Sequence, residues 1–279
     1  MLGKLFKHDM RQISKIMLPF MILVFGTTIL GTAALKFAGE IYYYFEDNII
    51  RNLLGSSLYL IFGFSVAALF AYMVLDIILA VSRYYKNFFS DEGYLTFTLP
   101  VKSSTLIFSK LWATFSWSII SAVVAIACIL IYLTFGAAPV GKAINVVFWQ
   151  WLKDVLVSLI RFFSDFNVSE AFIVVEAVAL GLVSAIQGIL ALFLPITIGS
   201  IIAQKHKILA SIGFYFLIHI AVSVVTTIVT TFILAVNLHD SADFFIHIYL
   251  ISRIFVYATV MVTEFLITNY LIKKKLNLQ

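Results

Sequence analysis

Six long runs of apolar residues dominate this sequence, and short connections join them. Each run can cross a hydrocarbon core about 30 Å thick as an α-helix that rises ~1.5 Å per residue. Charged residues make up only 12% of the chain, whereas soluble domains carry about 25%, so a soluble globular protein is excluded. We predict an all-α, polytopic membrane protein with spans at 17–38, 57–82, 111–136, 170–202, 209–237 and 246–272.

The spans and their connections use nearly all of the 279 residues. We therefore expect residues 1–279 to form a single transmembrane domain, without a soluble catalytic domain of the usual ~100 residues or more. Any soluble partner is expected to be another chain. The one cysteine, Cys128, falls inside an apolar run and is expected to pack there rather than to bind a metal or form a disulfide.

The distribution of Lys and Arg predicts which way the spans point, because basic residues resist translocation. With the N-terminus in the cytoplasm, thirteen of the nineteen basic residues fall on the inner side and five on the outer side, with Arg253 inside the last span. Six spans with both termini cytoplasmic satisfy this pattern. The net charge of +5 therefore reflects topology and gives no reason to expect nucleic-acid binding. The inner group comprises Lys4, Lys7, Arg11, Lys15, Arg83, Lys86, Lys102, Lys110, Lys205, Lys207, Lys273, Lys274 and Lys275.

Two amphipathic segments are predicted to be helices that do not span. In residues 1–16, apolar side chains recur every three or four residues while basic side chains fill the opposite face, as in a helix at the surface of the inner leaflet. Residues 144–163 keep the same spacing, but Lys153, Asp154 and Arg161 would be costly at the bilayer centre. We expect this second helix to lie flat at the outer surface, and the alternative is a seventh span.

The predicted inner connection 83–110 contains many apolar and aromatic residues for a cytoplasmic loop, among them Tyr84, Phe88, Tyr94 and Phe97. Such side chains need a surface to bury against. The neighbouring lipid surface and a soluble partner protein are both possible.

The sequence EGYLTFTLPV (92–101), followed by Leu106 and Lys110, resembles the loop between the second and third spans of bacterial ATP-binding-cassette type-2 (ABC-2) permeases. The opening MLGKLFKHDM, the segment KHKILAS (205–211) and the ending KKKLNL (273–278) resemble the same family. The four segments follow the family's order and share the predicted inner face.

This resemblance implies that the 83–110 connection contains a coupling helix, which docks on a separately encoded ATPase subunit beside the N-terminal helix. It implies ATP and Mg²⁺ in that partner, and no cofactor, metal or catalytic residue in this chain. A second copy or a related permease would complete a transport pathway in the bacterial cytoplasmic membrane, with export of a peptide, an antibiotic or a lipid as the expected activity. The outer segment 144–163 is less typical of the family. The implied docking residues are Asp91, Glu92, Gly93, Tyr94, Leu95, Phe97, Leu99 and Pro100.

An ATPase site within this chain is not expected. Residues 136–143, GAAPVGKA, have the glycine and lysine spacing of a nucleotide-binding P-loop, but Ala143 stands where Ser or Thr would hold magnesium. The segment is predicted on the outer side without a preceding strand, and a turn after the third span explains it. Nor does the chain contain the HExxH or GxSxG motifs that would favour an intramembrane enzyme.

Four charged residues fall inside predicted spans, where a charge at mid-depth costs about 2.5–3.5 kcal/mol on insertion scales. Glu176 and Arg253 lie at similar depths from the outer ends of their spans, and we predict that they pair. Asp76 and Glu264 lie nearer the inner ends, where basic residues of the connections could pair with them, or where the carboxyl groups could stay protonated. The alternative function is a proton-coupled secondary transporter that uses Asp76, Glu176 and Glu264. The basic residues within reach of the inner pair are Arg83, Lys110 and Lys273.

The spacing of the histidines bears on metal binding. His239, Asp243 and His247 recur every four residues, a spacing that would place three metal ligands on one helical face. A polar connection collects the same residue types, and we expect no metal site. His219, midway along the fifth span, is expected to be a hydrogen-bonded packing residue.

Overall fold

The structure is a computed structural model of the chain. It describes residues 2–45, 47–90, 93, 98, 101–135, 150, 153–154, 157, 168–203, 205–236 and 242–275.

Six long α-helices make up most of the described part of the chain, and that part contains no strand. Every one of the six is long and apolar enough to cross a membrane. For the described residues, the prediction of an all-helical fold with six helices long and apolar enough to span a membrane is therefore confirmed, while the placement of both termini in the cytoplasm stays a prediction. The helices are α1 (Leu2–Tyr44), α2 (Ile49–Phe89), α3 (Ser103–Phe135), α4 (Val168–Ile202), α5 (Lys207–Val236) and α6 (Ala242–Lys275).

Helix α1 begins at Leu2, well before the predicted start of the first span. Residues 2–16 of the amphipathic segment and the first apolar run form one helix, and Pro19 lies inside it without ending it. A proline removes one backbone hydrogen bond, but the helix can continue on both sides of it. Residues 2–16 are thus the first part of α1 and not a separate element, and their position at a membrane surface stays a prediction.

The connection between α2 and α3 is shorter than predicted. Helix α2 continues to Phe89 and α3 begins at Ser103, so only residues 90–102 join them. The aromatic residues at 84–89 that read as loop therefore belong to the last turns of α2. A coupling helix within the connection falls mostly outside the described residues.

The predicted outer helix 144–163 is described at four positions. Gln150, Lys153, Asp154 and Val157 are all helical, and the two charged side chains are exposed. The rest of that segment, and the P-loop-like residues 136–143, lie outside the described residues. Whether the helix lies flat or spans stays a prediction.

The chain divides into two compact units. The first unit consists of residues 1–9, 80–115 and 165–279, and the second of 10–79 and 116–164. Single-domain organisation, as expected from the sequence, stays a prediction.

In the second unit, hydroxyl groups link α2 to α3. Tyr72 donates to Ser121 Oγ at 3.3 Å, and Tyr132 donates to Ser65 Oγ at 3.1 Å. The ring of Tyr132 also meets that of Phe62 edge to face, with centroids 5.5 Å apart. Buried hydroxyl groups of this kind need such partners, because a spanning segment offers no bulk water.

The core of the first unit lies where α2 ends and α3 begins. Helices α4 and α6 pack against both helix ends there, so four helices share one buried cluster. The polypeptide that enters and leaves the 90–102 connection is therefore anchored on both sides. The buried members are Tyr84, Phe88, Leu106, Ile107, Leu111, Phe115, Ile189, Leu190, Phe193, Ile196 and Ile272.

Candidate functional site

An aromatic stack joins the end of α2 to α4. The rings of Tyr84 and Phe193 lie 3.9 Å apart and are nearly parallel. The Tyr84 hydroxyl is 2.8 Å from Thr197 Oγ1, which itself donates to the Phe193 carbonyl, so Tyr84 is the donor in this pair. An aromatic pair adds about 0.5–1.5 kcal/mol beyond the area that it buries. The stack therefore links α2 to α4 directly beside the 90–102 connection.

A buried ion pair fixes the start of α1 to α3. The Asp9 carboxylate accepts hydrogen bonds from Lys110 Nζ and Ser109 Oγ. The side chain of Asp9 is 7% exposed and that of Lys110 14%. At this burial each charge depends on the other, because removing one leaves an uncompensated charge in a poorly solvated site.

Two further contacts tie the start of α3 to α6. Ser103 Oγ donates to Asn269 Oδ1 at 2.8 Å, and the rings of Phe108 and Phe265 lie 4.6 Å apart. The helix that leaves the connection is thus held by α1 on one side and by α6 on another.

Gly93 is the one implied docking residue that the structure describes. Its amide donates to the Ser90 carbonyl at 2.7 Å, and the residue is buried. A Cβ at this position would lie 2.8 Å from the Phe88 carbonyl oxygen. Any residue other than glycine would therefore require the backbone to shift here. Docking by the other implied residues stays a prediction, because they lie outside the described part: Asp91, Glu92, Tyr94, Leu95, Phe97, Leu99 and Pro100.

A polar cavity of about 190 Å³ lies among α4, α5 and α6, and it can hold several water molecules. Glu264 lines this cavity and is 3% exposed. Both of its carboxylate oxygens lie 3.3 Å from Gln187 Nε2. The expected pairing of Glu264 with a basic residue of the connections is wrong: the carboxylate bonds an amide, and Lys110 is engaged by Asp9.

Further polar side chains line the cavity, among them Ser223, Thr226 and Tyr257. His219 lines it and stacks on Tyr215, with ring centroids 5.8 Å apart. Ala191 also lines it, four residues before Pro195. A proline cannot donate to the carbonyl four residues earlier, so the Ala191 carbonyl lacks its usual helical partner.

Glu176 pairs with a residue other than the predicted one. His247 Nδ1 lies 2.9 Å from one Glu176 carboxylate oxygen and 3.1 Å from the other. The Arg253 guanidinium instead lies over the Tyr249 ring, 5.4 Å from its centroid, and its buried Nε has no hydrogen-bond partner among the described residues. The pairing of Glu176 with Arg253 is therefore wrong. His247 is engaged by a carboxylate, and the described residues contain no cluster of three metal-ligating side chains.

Asp76 belongs to the second unit. Its carboxylate is bonded by Ser118 and Ser121 of α3. The predicted basic partner is thus replaced by two hydroxyl donors one helical turn apart.

No protein-family model, no curated protein and no solved structure matches this chain. The function that the resemblance to ABC-2 permeases implies is therefore a proposal.

Three partners of the helix ends and of the cavity were not predicted from the sequence: Asp9, Asn269 and Gln187. One signal was present for Asp9: it is the only acidic residue among the basic ones before the first apolar run. An acidic residue in such a position is a candidate partner for a lysine of a neighbouring helix. Nothing in the sequence near Asn269 or Gln187 distinguishes them from ordinary polar residues of a span.

Proposed function

We propose that this chain is the membrane-spanning permease subunit of an ATP-driven transporter. ATP would be hydrolysed by a separate ATPase subunit that docks on the 83–110 segment. A second copy of the chain, or a related permease, completes the pathway in a bacterial cytoplasmic membrane. Peptides, antibiotics and lipids are the substrate classes for export that the resemblance implies.

The observation that carries the proposal is the stack of Tyr84 on Phe193. It attaches the end of α2 to α4 at the point where the polypeptide turns into the 90–102 connection. The start of α3, on the other side of that connection, is held by Asp9 and Asn269. A partner that moves the connection therefore moves helices and not merely a loop.

Helix α4 also connects these contacts to the polar cavity. Helix α4 bears Phe193 in the stack, and Gln187 and Ala191 in the cavity wall. A displacement of α4 would change the cavity that α4 shares with α5 and α6. Transport then requires two states of the assembly that differ in their affinity for nucleotide and for substrate.

Affinity purification of the tagged chain from its native membranes tests this proposal. We expect ATP hydrolysis in the purified material, carried by a second chain. The variants Phe97→Asp and Glu92→Lys should release that chain while this protein still inserts, because each places the wrong polarity or charge on the docking segment. Lys153→Glu, in the outer segment, is the matched charge-changing control and should retain it.

Two results would overturn the proposal in different ways. Purified material without an ATP-hydrolysing chain would exclude an ATP-driven transporter. Retention of the ATPase by both docking variants would place the docking surface elsewhere on the protein.

One observation favours the alternative of a proton-coupled transporter. Glu264 is a buried carboxylate beside His219 in a cavity that can hold water, and such groups serve as proton relays in transporters. Asp76 and Glu176, the other two carboxylates of that alternative, are bonded to hydroxyl groups and to His247.

Glu264→Gln separates the two functions. Glutamine keeps the size of the side chain and can still hydrogen-bond Gln187, but it cannot exchange a proton. An ATP-driven permease should retain at least half of its ATP-dependent transport, whereas proton-coupled transport should be lost. Transport by the lone chain in vesicles, driven by a pH gradient without ATP, would establish the alternative.

A further inference from the structure

We propose that α2, α4 and α5 form a binding site for an anionic phospholipid, with the headgroup on Lys205, His206 and Lys207 and an acyl chain in the adjoining apolar groove. This site does not depend on the proposed transport function, because its evidence is the charge and the apolar lining of two adjoining cavities.

The headgroup region is a pocket of about 570 Å³ at the junction of α4 and α5. Lys205, His206 and Lys207 line it together with the Tyr85 side chain from α2. None of the described residues that line this pocket is acidic. Among the described lining residues, no carboxylate therefore competes with an external anion for these three basic side chains.

The acyl-chain region is a groove of about 350 Å³ formed by α2, α4 and α5. Leu192, Pro195 and Ile196 of α4 line one part of it, and Ile212 and Phe216 of α5 line another. One of its few hydroxyl groups, that of Ser211, is already bonded to the Lys207 carbonyl at 2.9 Å. The groove therefore offers an apolar surface.

The two regions are continuous. Tyr85, Ile208 and Ile212 line both the basic pocket and the groove. Helices α4 and α5 approach closely beside them, since a side chain at Gly199 would collide with Ser211. A charged region that leads directly into an apolar groove matches a molecule with an anionic head and a hydrocarbon tail.

The position of the cations points to an anionic partner rather than to lipid in general. Lys207 is the first residue of α5, and the first turn of that helix contains no acidic residue. The positive end of the helix dipole disfavours a cation there and favours an anion. Acyl chains would fill a lipid-facing groove in any membrane, and the basic pocket adds the preference for a negative headgroup. A free phosphate would not use the groove.

Native mass spectrometry of the purified chain tests the site, with phosphatidylglycerol and phosphatidylcholine supplied in equal amounts. We expect phosphatidylglycerol to be retained selectively. Lys205→Gln with Lys207→Gln should lower that selectivity about 25-fold, which corresponds to roughly fivefold for each lysine beside an anionic lipid. The matched control is Lys273→Gln with Lys274→Gln, which removes the same charge from exposed lysines at the end of α6 and should leave the selectivity within twofold.

Two further measurements separate the possible sources of the anion. Ile212→Trp, which fills the groove, should reduce phosphatidylglycerol retention, and inorganic phosphate should not displace the lipid. Equal loss in the Lys273/Lys274 control would show a general charge effect and overturn the site. Displacement of the lipid by inorganic phosphate, or full phosphatidylglycerol retention by Ile212→Trp, would show that the site recognises only a phosphate group. Either result would overturn the proposal of a lipid site.

Discussion

Burial of the Asp9 carboxylate costs desolvation energy, and the same side chain positions α1 on α3. Its carboxylate is almost fully buried, and it is stabilised by Lys110 and Ser109 at the start of α3. Buried ion pairs are weak evidence for net stability, because desolvation opposes the attraction between the charges. Such pairs restrict conformation more than they add to net stability, because a conformation that separates them leaves each charge buried without its partner. We therefore interpret the pair as the contact that fixes where α1 meets α3.

A double-mutant cycle on this pair measures its coupling. Asp9→Asn and Lys110→Met should each destabilise the protein by about 3–5 kcal/mol, because each leaves one buried charge without its partner. The double variant should be less destabilised than the sum of the two, by at least about 1 kcal/mol. Thermal unfolding in detergent, followed by tryptophan fluorescence, provides the readout. Additive losses would show that the two side chains act independently.

The helices were predictable from the sequence, whereas their partners were not. Apolar run length is a local property, and it gives six helices because each run must satisfy its backbone hydrogen bonds within itself in the membrane. Helix ends are less local: residues 84–89 look like an aromatic loop in the sequence and continue α2 in the structure. Their burial against α4 explains the difference, since packing outweighs the polar residues around them.

The partners in the long-range pairings could not be identified from the sequence, although Asp9 stood out as the one acidic residue among the basic ones before the first apolar run. Glu176 lies 71 residues from His247, and Asp9 lies 101 residues from Lys110. Equal depth in two spans suggested Arg253 for Glu176, but depth does not specify the rotation of a helix about its axis. Helix packing decides which residue faces Glu176. The rotation of each helix cannot be read from the local pattern of one sequence.

The link between α2 and α4 leads to a prediction for coupling. Phe193→Leu keeps an apolar side chain but removes the stack on Tyr84. We expect the proposed ATPase subunit to remain bound, because the proposed docking segment is unchanged. The ATP-dependent response of an environment-sensitive probe at the exposed Ile202, at the end of α4, should fall by more than half.

The control for that experiment is Phe265→Leu, which removes a comparable aromatic pair between α3 and α6. Its probe response should stay close to that of the unmodified protein, which would separate coupling from a general loss of packing. An unchanged response in Phe193→Leu would contradict the role of the stack.

The proposed ATPase docking and the proposed lipid site both depend on which side of the membrane each connection lies. Cys128 is the only cysteine and is fully buried, so Cys128→Ala gives a background without thiols. In that background, Lys153→Cys should react with a membrane-impermeant maleimide on intact cells. Lys102→Cys and Lys273→Cys should react only after permeabilisation. Outside labelling at position 273 together with protection at 153 would favour a seventh span at 144–163.

The proposed function depends above all on one interaction, the docking of the 83–110 segment on a protein that hydrolyses ATP. Site-specific photocrosslinking from position 97 in native membranes tests this interaction, because Phe97 can bury its ring against either lipid or a partner protein. We expect a covalent adduct with a second chain, and that chain should hydrolyse ATP when isolated. Adducts with lipid alone would contradict docking at this segment.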